Sequence, residues 1–243
     1  MSIKQKTLLL MFFLVSGCAG LKPLSHSFSH ALNADPNIPQ RARKASVRVV
    51  GVDSQQWVKS FCSGVIIGPH TILTAAHCID GDGLQLRILF GHGIAVTVND
   101  SRANIRYADI AAPEDTVLTA VSQKRHPELD LAVIVVAEKL ESNVTLHSTD
   151  INLSENHAIG FSGFGLFNQQ LGQYRQGVAN VVYLEGAYIW IDSGVDAICL
   201  GDSGGGIYKK GQLIGLIVSG SASCKRADRF VLLEPERAWI LAQ

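Results

Sequence analysis

The sequence predicts an all-β protein, a barrel or a sandwich, ending in one short helix. Three observations carry this expectation. From Ser46 onward, short runs rich in Val and Ile alternate with Gly, Asn and Asp turn residues. The chain has 243 residues, 47% of them hydrophobic and 17% charged, which suits one large unit or two small lobes with a sizeable core. Only residues 234–241 read as a helix, with Pro235 near its start and Trp239 and Ile240 placed to pack back.

The N-terminal elements come first. Lys4 and Lys6 precede an apolar run over 8–15, followed by Ser16, Gly17 and Cys18. A positive start, a short apolar stretch and small residues read as an export signal over 1–17. The run is too short to span a bilayer, which takes about 20 residues. Val15-Ser16-Gly17-Cys18 resembles a bacterial lipoprotein signal. That resemblance implies a lipidated Cys18 at the mature N-terminus and anchoring in the cell envelope. Ala19, rather than an aspartate, follows the cysteine, which by analogy with enteric bacteria favours the outer membrane. The competing reading is a plain secretion signal in which Cys18 is discarded. Residues 18–45 are polar and pattern-poor, with Pro36, Pro39, Arg41, Arg43 and Lys44, and read as a tether.

The strand candidates follow: 47–52, 64–67, 84–90, 94–98, 131–136, 158–161, 177–183, 188–191 and 213–218. A further apolar run at 71–74 leads into His77 and Cys78. Export leaves four of the five cysteines, Cys62, Cys78, Cys199 and Cys224, in an oxidising compartment. Four cysteines allow three pairings. The local ones would each close a short loop and contribute roughly 3 kcal/mol in a chain-entropy account. No Cys-x-x-Cys occurs, and metal binding is the less favoured reading of these cysteines. Lys+Arg and Asp+Glu both number 21, which gives no global attraction to nucleic acid.

Chemistry concentrates in three places. Gly201-Asp202-Ser203-Gly204-Gly205-Gly206 puts a serine on a glycine-rich turn. There the N–H groups of Gly201 and Ser203 can converge on an oxyanion. A serine hydroxyl also needs a base. His77, after the apolar run 71–74 and beside Cys78, is the candidate, because an imidazole titrates near neutrality. Asp130 opens the apolar run 131–136, where a buried carboxylate needs a partner and can orient an imidazole.

Thr74-Ala75-Ala76-His77-Cys78, Asp130-Leu131-Ala132 and Gly201-Asp202-Ser203-Gly204-Gly205 resemble the three catalytic motifs of the trypsin/chymotrypsin-like serine proteases, in the same order. Phe61-Cys62-Ser63-Gly64, His126-Pro127, Ser162-Gly163-Phe164-Gly165, Val218-Ser219-Gly220 and Trp239-Ile240 resemble further family segments. The resemblance covers about residues 46–243. It implies two six-stranded antiparallel β-barrels, over about 46–140 and 150–232, with the active site between them and a short C-terminal helix. It implies acyl transfer by His77, Asp130 and Ser203 on a protein or peptide substrate, with no cofactor, in a monomer. The alternative is a silent protease fold acting as a binding module. An esterase of another fold fits poorly, because its serine would precede the Asp and His.

Two departures stand out. In that family a newly cut N-terminus pairs with the aspartate before the serine, here Asp202. No such segment is found; Val49-Val50-Gly51 lies too close to Cys62 and inside the first strand. Either Asp202 has another partner and the enzyme works while anchored, which is the expectation, or cleavage in the tether activates it. The specificity pocket is the second departure. Ala197 holds the position of the trypsin-type aspartate, Asp196 is one residue off, and Ser219, Gly220, Ser221 and Asp228 complete the candidate lining. A small or medium apolar side chain before the scissile bond is expected first, and a basic one reading Asp228 second.

Overall fold

The chain enters its first lobe through α1 (Ile38–Ala45). The computed structural model describes residues 38–98, 104–141, 144–146, 151–219, 224 and 228–243. The export signal, Cys18 and the tether up to residue 37 lie outside the described residues. The tether expected to run to residue 45 instead ends before this helix. The basic residues that made the segment look like a linker, Arg41, Arg43 and Lys44, are its exposed face. Ala42 and Ala45, three apart on the other face, are fully buried in the core.

The first lobe is a seven-stranded antiparallel sheet. Its strands are β1 (Ser46–Val52), β2 (Val58–Ile66), β3 (Thr71–Thr74), β4 (Gln85–Phe90), β6 (Thr116–Leu118), β7 (Ala120–Arg125) and β8 (Ala132–Val136), in the order β6-β4-β1-β2-β3-β8-β7. β6 and β7 stand at opposite edges, yet only Thr119 separates them in the chain, so the sheet curls until its edges meet there. Every residue of β1 is buried. Val47 and Val49 join one core cluster and Val50 and Val52 another, as the two-residue period of a strand requires. A short pair, β5 (Val96–Thr97) with β10 (Gln170–Leu171), links the two lobes. Between them in sequence comes the single turn α2 (Tyr107–Ile110).

The second lobe is a closed six-stranded barrel. β9 (Ala158–Gly163), β11 (Arg175–Glu185), β12 (Tyr188–Asp192), β13 (Gly206–Lys209), β14 (Gln212–Ser219) and β15 (Asp228–Leu232) close in the order β11-β12-β15-β14-β13-β9. Ile159, Phe161, Ile189, Ile207, Ile217 and Phe230 fill its interior. The other large cluster joins the lobes, with Leu213, Leu216 and Val231 packed among first-lobe residues. The expected C-terminal helix is shorter than its pattern: residue 234 is a bend, 235–236 form a turn and α3 spans Arg237–Leu241. His126 docks it, pairing Nε2 with Glu236 at 3.0 Å and meeting the Trp239 ring edge-on.

The cysteines take the two local pairings, Cys62–Cys78 and Cys199–Cys224. The first lobe also buries an ion pair between Arg48 and Asp115, both side chains almost wholly removed from solvent. Arg48 donates to the Ile110 carbonyl at 2.5 Å and lies against the Phe164 ring. Removing one member of such a pair leaves an uncompensated buried charge. Asp115→Ala is therefore expected to cost about 3–5 kcal/mol of stability, measured by urea unfolding followed through tryptophan fluorescence. A loss within about 0.5 kcal/mol, the range of ordinary surface substitutions, would show that the pair is not needed.

Candidate active site

His77 lies on the 3-10 turn Ala76–Ile79 that follows β3. Ala75 and Ala76 are buried, and the Cys62–Cys78 bridge pins the turn to β2. Leu131, fully buried, and β8 fix Asp130 from the other side. The two side chains meet: Nδ1 of His77 is 2.7 Å from Oδ2 of Asp130. The backbone N–H of His77 donates to Oδ1 at 2.9 Å. The imidazole is thus held through Nδ1, leaving Nε2 as the ring nitrogen not engaged by Asp130. Burial opposes charge on Asp130, but the hydrogen bonds from the His77 ring and backbone outweigh it and hold its carboxyl below the usual range. The Tyr188 hydroxyl, from the second lobe, accepts the Asp130 N–H at 3.2 Å.

Ser203 sits half-buried on the turn before β13. Its carbonyl accepts the Ser63 N–H at 2.7 Å and lies 3.8 Å from the Cys78 sulfur, which brings the serine turn against the His77 turn. Ser63 does more than this. Its hydroxyl donates to the Gly201 carbonyl at 2.8 Å and accepts the Phe164 N–H at 2.9 Å. Among the described residues, neither the Gly201 N–H nor the Ser203 N–H has an acceptor. Gly201 has φ +95°, and a Cβ there would sit 2.9 Å from the Phe61 ring, so glycine is required.

Asp202, between them, is fully buried. Its Oδ1 accepts the Gly165 N–H at 2.8 Å and Arg175 Nε at 3.3 Å. Its Oδ2 accepts the Cys199 N–H at 2.9 Å and Arg175 Nη2 at 2.7 Å. A Cβ on Gly165 would fall 2.3 Å from this carboxylate, so only glycine permits the approach. The Arg175 guanidinium also donates through Nη1 to the Asp196 carbonyl at 2.6 Å and through Nη2 to the Ala197 carbonyl.

The candidate pocket residues divide. Ala197 has φ +32° and its carbonyl faces Arg175. The Asp196 carboxylate turns to β11 and accepts the Val178 N–H at 2.8 Å. Asp228 is buried and accepts the Ser193 hydroxyl at 2.6 Å. Ser219 ends β14, its hydroxyl accepting Arg229 Nε at 3.2 Å. Gly220 and Ser221 lie outside the described residues. Cys62, His77 and Cys78 bring three potential metal-binding atoms together, but both sulfurs are taken by the disulfide. Sequence reasoning missed Arg175, Ser63 and Tyr188. Each lies on a strand and supports a residue on a loop or turn far away in sequence, and only Ser63 lay inside a motif that had drawn notice.

The family model described as Trypsin matches residues 39–240. An uncharacterized peptidase of Corynebacterium glutamicum (strain R) is 29% identical over 165 residues, covering 64% of this chain and 52% of that protein. This chain therefore spans about half the length of that relative. Brachyurin of Leptuca pugilator is 29% identical over 206 residues, covering 75% of this chain and 87% of that protein. Trypsin Tyr p 3.0101 of Tyrophagus putrescentiae is 27% identical, covering 69% and 65%.

The lowered Asp130 carboxyl has a consequence for acid stability. A carboxyl that titrates lower folded than unfolded contributes stability above its unfolded value, near 3.9 for aspartate, and loses it as pH falls through the folded value. Asp130→Asn should therefore flatten the decline of Tm below about pH 4 relative to the unaltered protein. Parallel declines in the two proteins would contradict this account of the pair.

Proposed function

This chain belongs to the trypsin family, and from that premise we propose that it is a serine endopeptidase working through Ser203, His77 and Asp130. The observation that carries this reading is the 2.7 Å contact between His77 Nδ1 and Asp130, on a turn packed against the Ser203 loop. Ser203 Oγ attacks the peptide carbonyl, and His77 Nε2 takes the hydroxyl proton. The N–H groups of Gly201 and Ser203 receive the negative oxygen. His77 then gives the proton to the leaving amine, and water, deprotonated in turn by His77, releases the acyl group. Asp130 holds the imidazole in the tautomer this needs and steadies the imidazolium.

The reading extends to substrate and place. The edge of β14 near Ser219 receives the substrate backbone as an added strand. The residue before the scissile bond is small or medium and apolar. Asp228 supports this order of preference because Ser193 already engages its carboxylate. The enzyme is anchored in a bacterial envelope membrane through a lipidated Cys18 and works as a monomer on protein or peptide substrates.

A fluorophosphonate should label Ser203 in folded, unaltered protein, located by mass spectrometry of the tagged peptide. Ser203→Ala should abolish labelling and lower kcat by about 10⁶, and Asp130→Asn by about 10⁴. Absence of labelling would support the binding-module alternative. A panel of chromogenic peptides varying the residue before the scissile bond should favour Ala, Val or Leu. Rapid cleavage after Arg or Lys would reverse the assignment to Asp228. Cys18→Ala should move the protein from the membrane fraction to the soluble one; unchanged partition would remove the anchor from the account.

A further inference from the structure

From the geometry around Asp202 we infer that Arg175 is the positioning residue of the oxyanion site, so that the enzyme needs no newly cut N-terminus to become active. The inference rests on the peptidase reading and names its regulation. A buried carboxylate must be neutralised. Here each oxygen of Asp202 already takes two donors, one backbone N–H and one guanidinium N–H. The guanidinium is bidentate on the carboxylate, and its side chain is only 11% exposed. Two further N–H groups go to the carbonyls of Asp196 and Ala197, and its flat faces meet the rings of Phe161 and Phe167. Such a fork is a pre-set geometry that a lone ammonium does not supply. The four acceptor positions around Asp202 are filled without an amine.

The link from Asp202 to chemistry is covalent and short. Its Cα stands between Gly201 and Ser203, the two residues whose N–H groups are left open. Its own N–H donates to the Cys199 carbonyl at 3.0 Å and its carbonyl accepts the Gly205 N–H at 2.8 Å. With the side chain locked inward, this turn has one arrangement, and both N–H groups are held ready before substrate arrives. The N-terminal side agrees. Cleavage at Arg41, Arg43 or Lys44 would cut through α1, whose Ala42 and Ala45 are core residues. Arg175 enters from the start of β11, so the anchor belongs to the second lobe and is made when that barrel folds.

The test uses the full chain, with its N-terminus followed by intact mass. Acetylating the α-amine should leave fluorophosphonate labelling of Ser203 and kcat/KM unchanged. A guanidinium keeps its charge throughout the working range, whereas an α-amine, with a pKa of about 8 when free and raised by a carboxylate partner, gives its charge up on the alkaline side. The unaltered enzyme should therefore hold its kcat level from about pH 8 to 10. Arg175→Gln should lower kcat by about 10²–10³ with KM little changed, the size of losing an oxyanion donor. Arg175→Lys should keep part of the activity and lose it as pH rises toward about 10, where a lysine amine gives up its proton. That new alkaline limb reports charge at position 175, which a packing role would not create, and it remains readable if Arg175→Gln folds poorly. Loss of activity on acetylation, an alkaline limb between about pH 8 and 10 in the unaltered enzyme, or Arg175→Gln with unchanged kcat would each overturn the inference. If the unaltered protein labels and Arg175→Gln labels at the same rate, the role of Arg175 alone falls. If the unaltered protein never labels, the peptidase reading falls and takes this one with it.

Discussion

A carboxylate without access to water, Asp202, sets the terms for the second lobe. Burying it unpaired would cost several kcal/mol, and its place one residue before Ser203 allows no retreat to the surface. Arg175 and the N–H groups of Gly165 and Cys199 answer that demand from three segments. Gly165 must be glycine for the carboxylate to fit. The same cluster draws in the carbonyls of Asp196 and Ala197, so the wall of the candidate pocket is shaped by the needs of this charge. Ala197 contributes its carbonyl to the arginine.

The lobes are joined by both apolar packing and hydrogen bonds. The larger core cluster runs through from β1 and β3 to β14 and β15. Ser63 adds direction to that packing. From β2 in the first lobe it bonds the backbone of Ser203, Gly201 and Phe164, all in the second. Tyr188 returns the favour by accepting the Asp130 N–H from the opposite lobe. The His77–Asp130 pair and the Ser203 turn are thus tied to the opposite lobe by hydrogen bonds. Fixing these groups in advance is what the proposed acyl transfer would ask of them.

Much of this was legible in the sequence, for identifiable reasons. Alternating Val and Ile runs marked strands with two buried faces, such as 47–52 and 213–218. Edge strands with little apolar pattern escaped: five of the six residues of β7, Ala-Val-Ser-Gln-Lys-Arg, face solvent, so nothing announces them. The helix at 38–45 was hidden by its charged face, Arg41, Arg43 and Lys44, opposite the buried Ala42 and Ala45. His77, Asp130 and Ser203 stood out through their neighbours, and the cysteines left three pairings open, of which the two local bridges are the ones formed. Arg175 did not stand out. An arginine after a tyrosine at the head of a strand carries no local signal. It gains meaning only when folding brings it to a carboxylate 27 positions away. The missing N-terminal partner for Asp202 was the clue available in the sequence; the residue filling that gap required the three-dimensional arrangement.

The central claim is that an unprocessed chain presents a finished oxyanion site, held open by the Asp202–Arg175 pair. A crystal structure of the uncleaved protein with a phosphonate bonded to Ser203 tests it directly. The account predicts the phosphoryl oxygen about 2.7–3.1 Å from both the Gly201 and Ser203 nitrogens, with Asp202 still forked by Arg175. A phosphoryl oxygen turned to solvent, or Asp202 released from Arg175 and paired with a freed N-terminal amine, would contradict it.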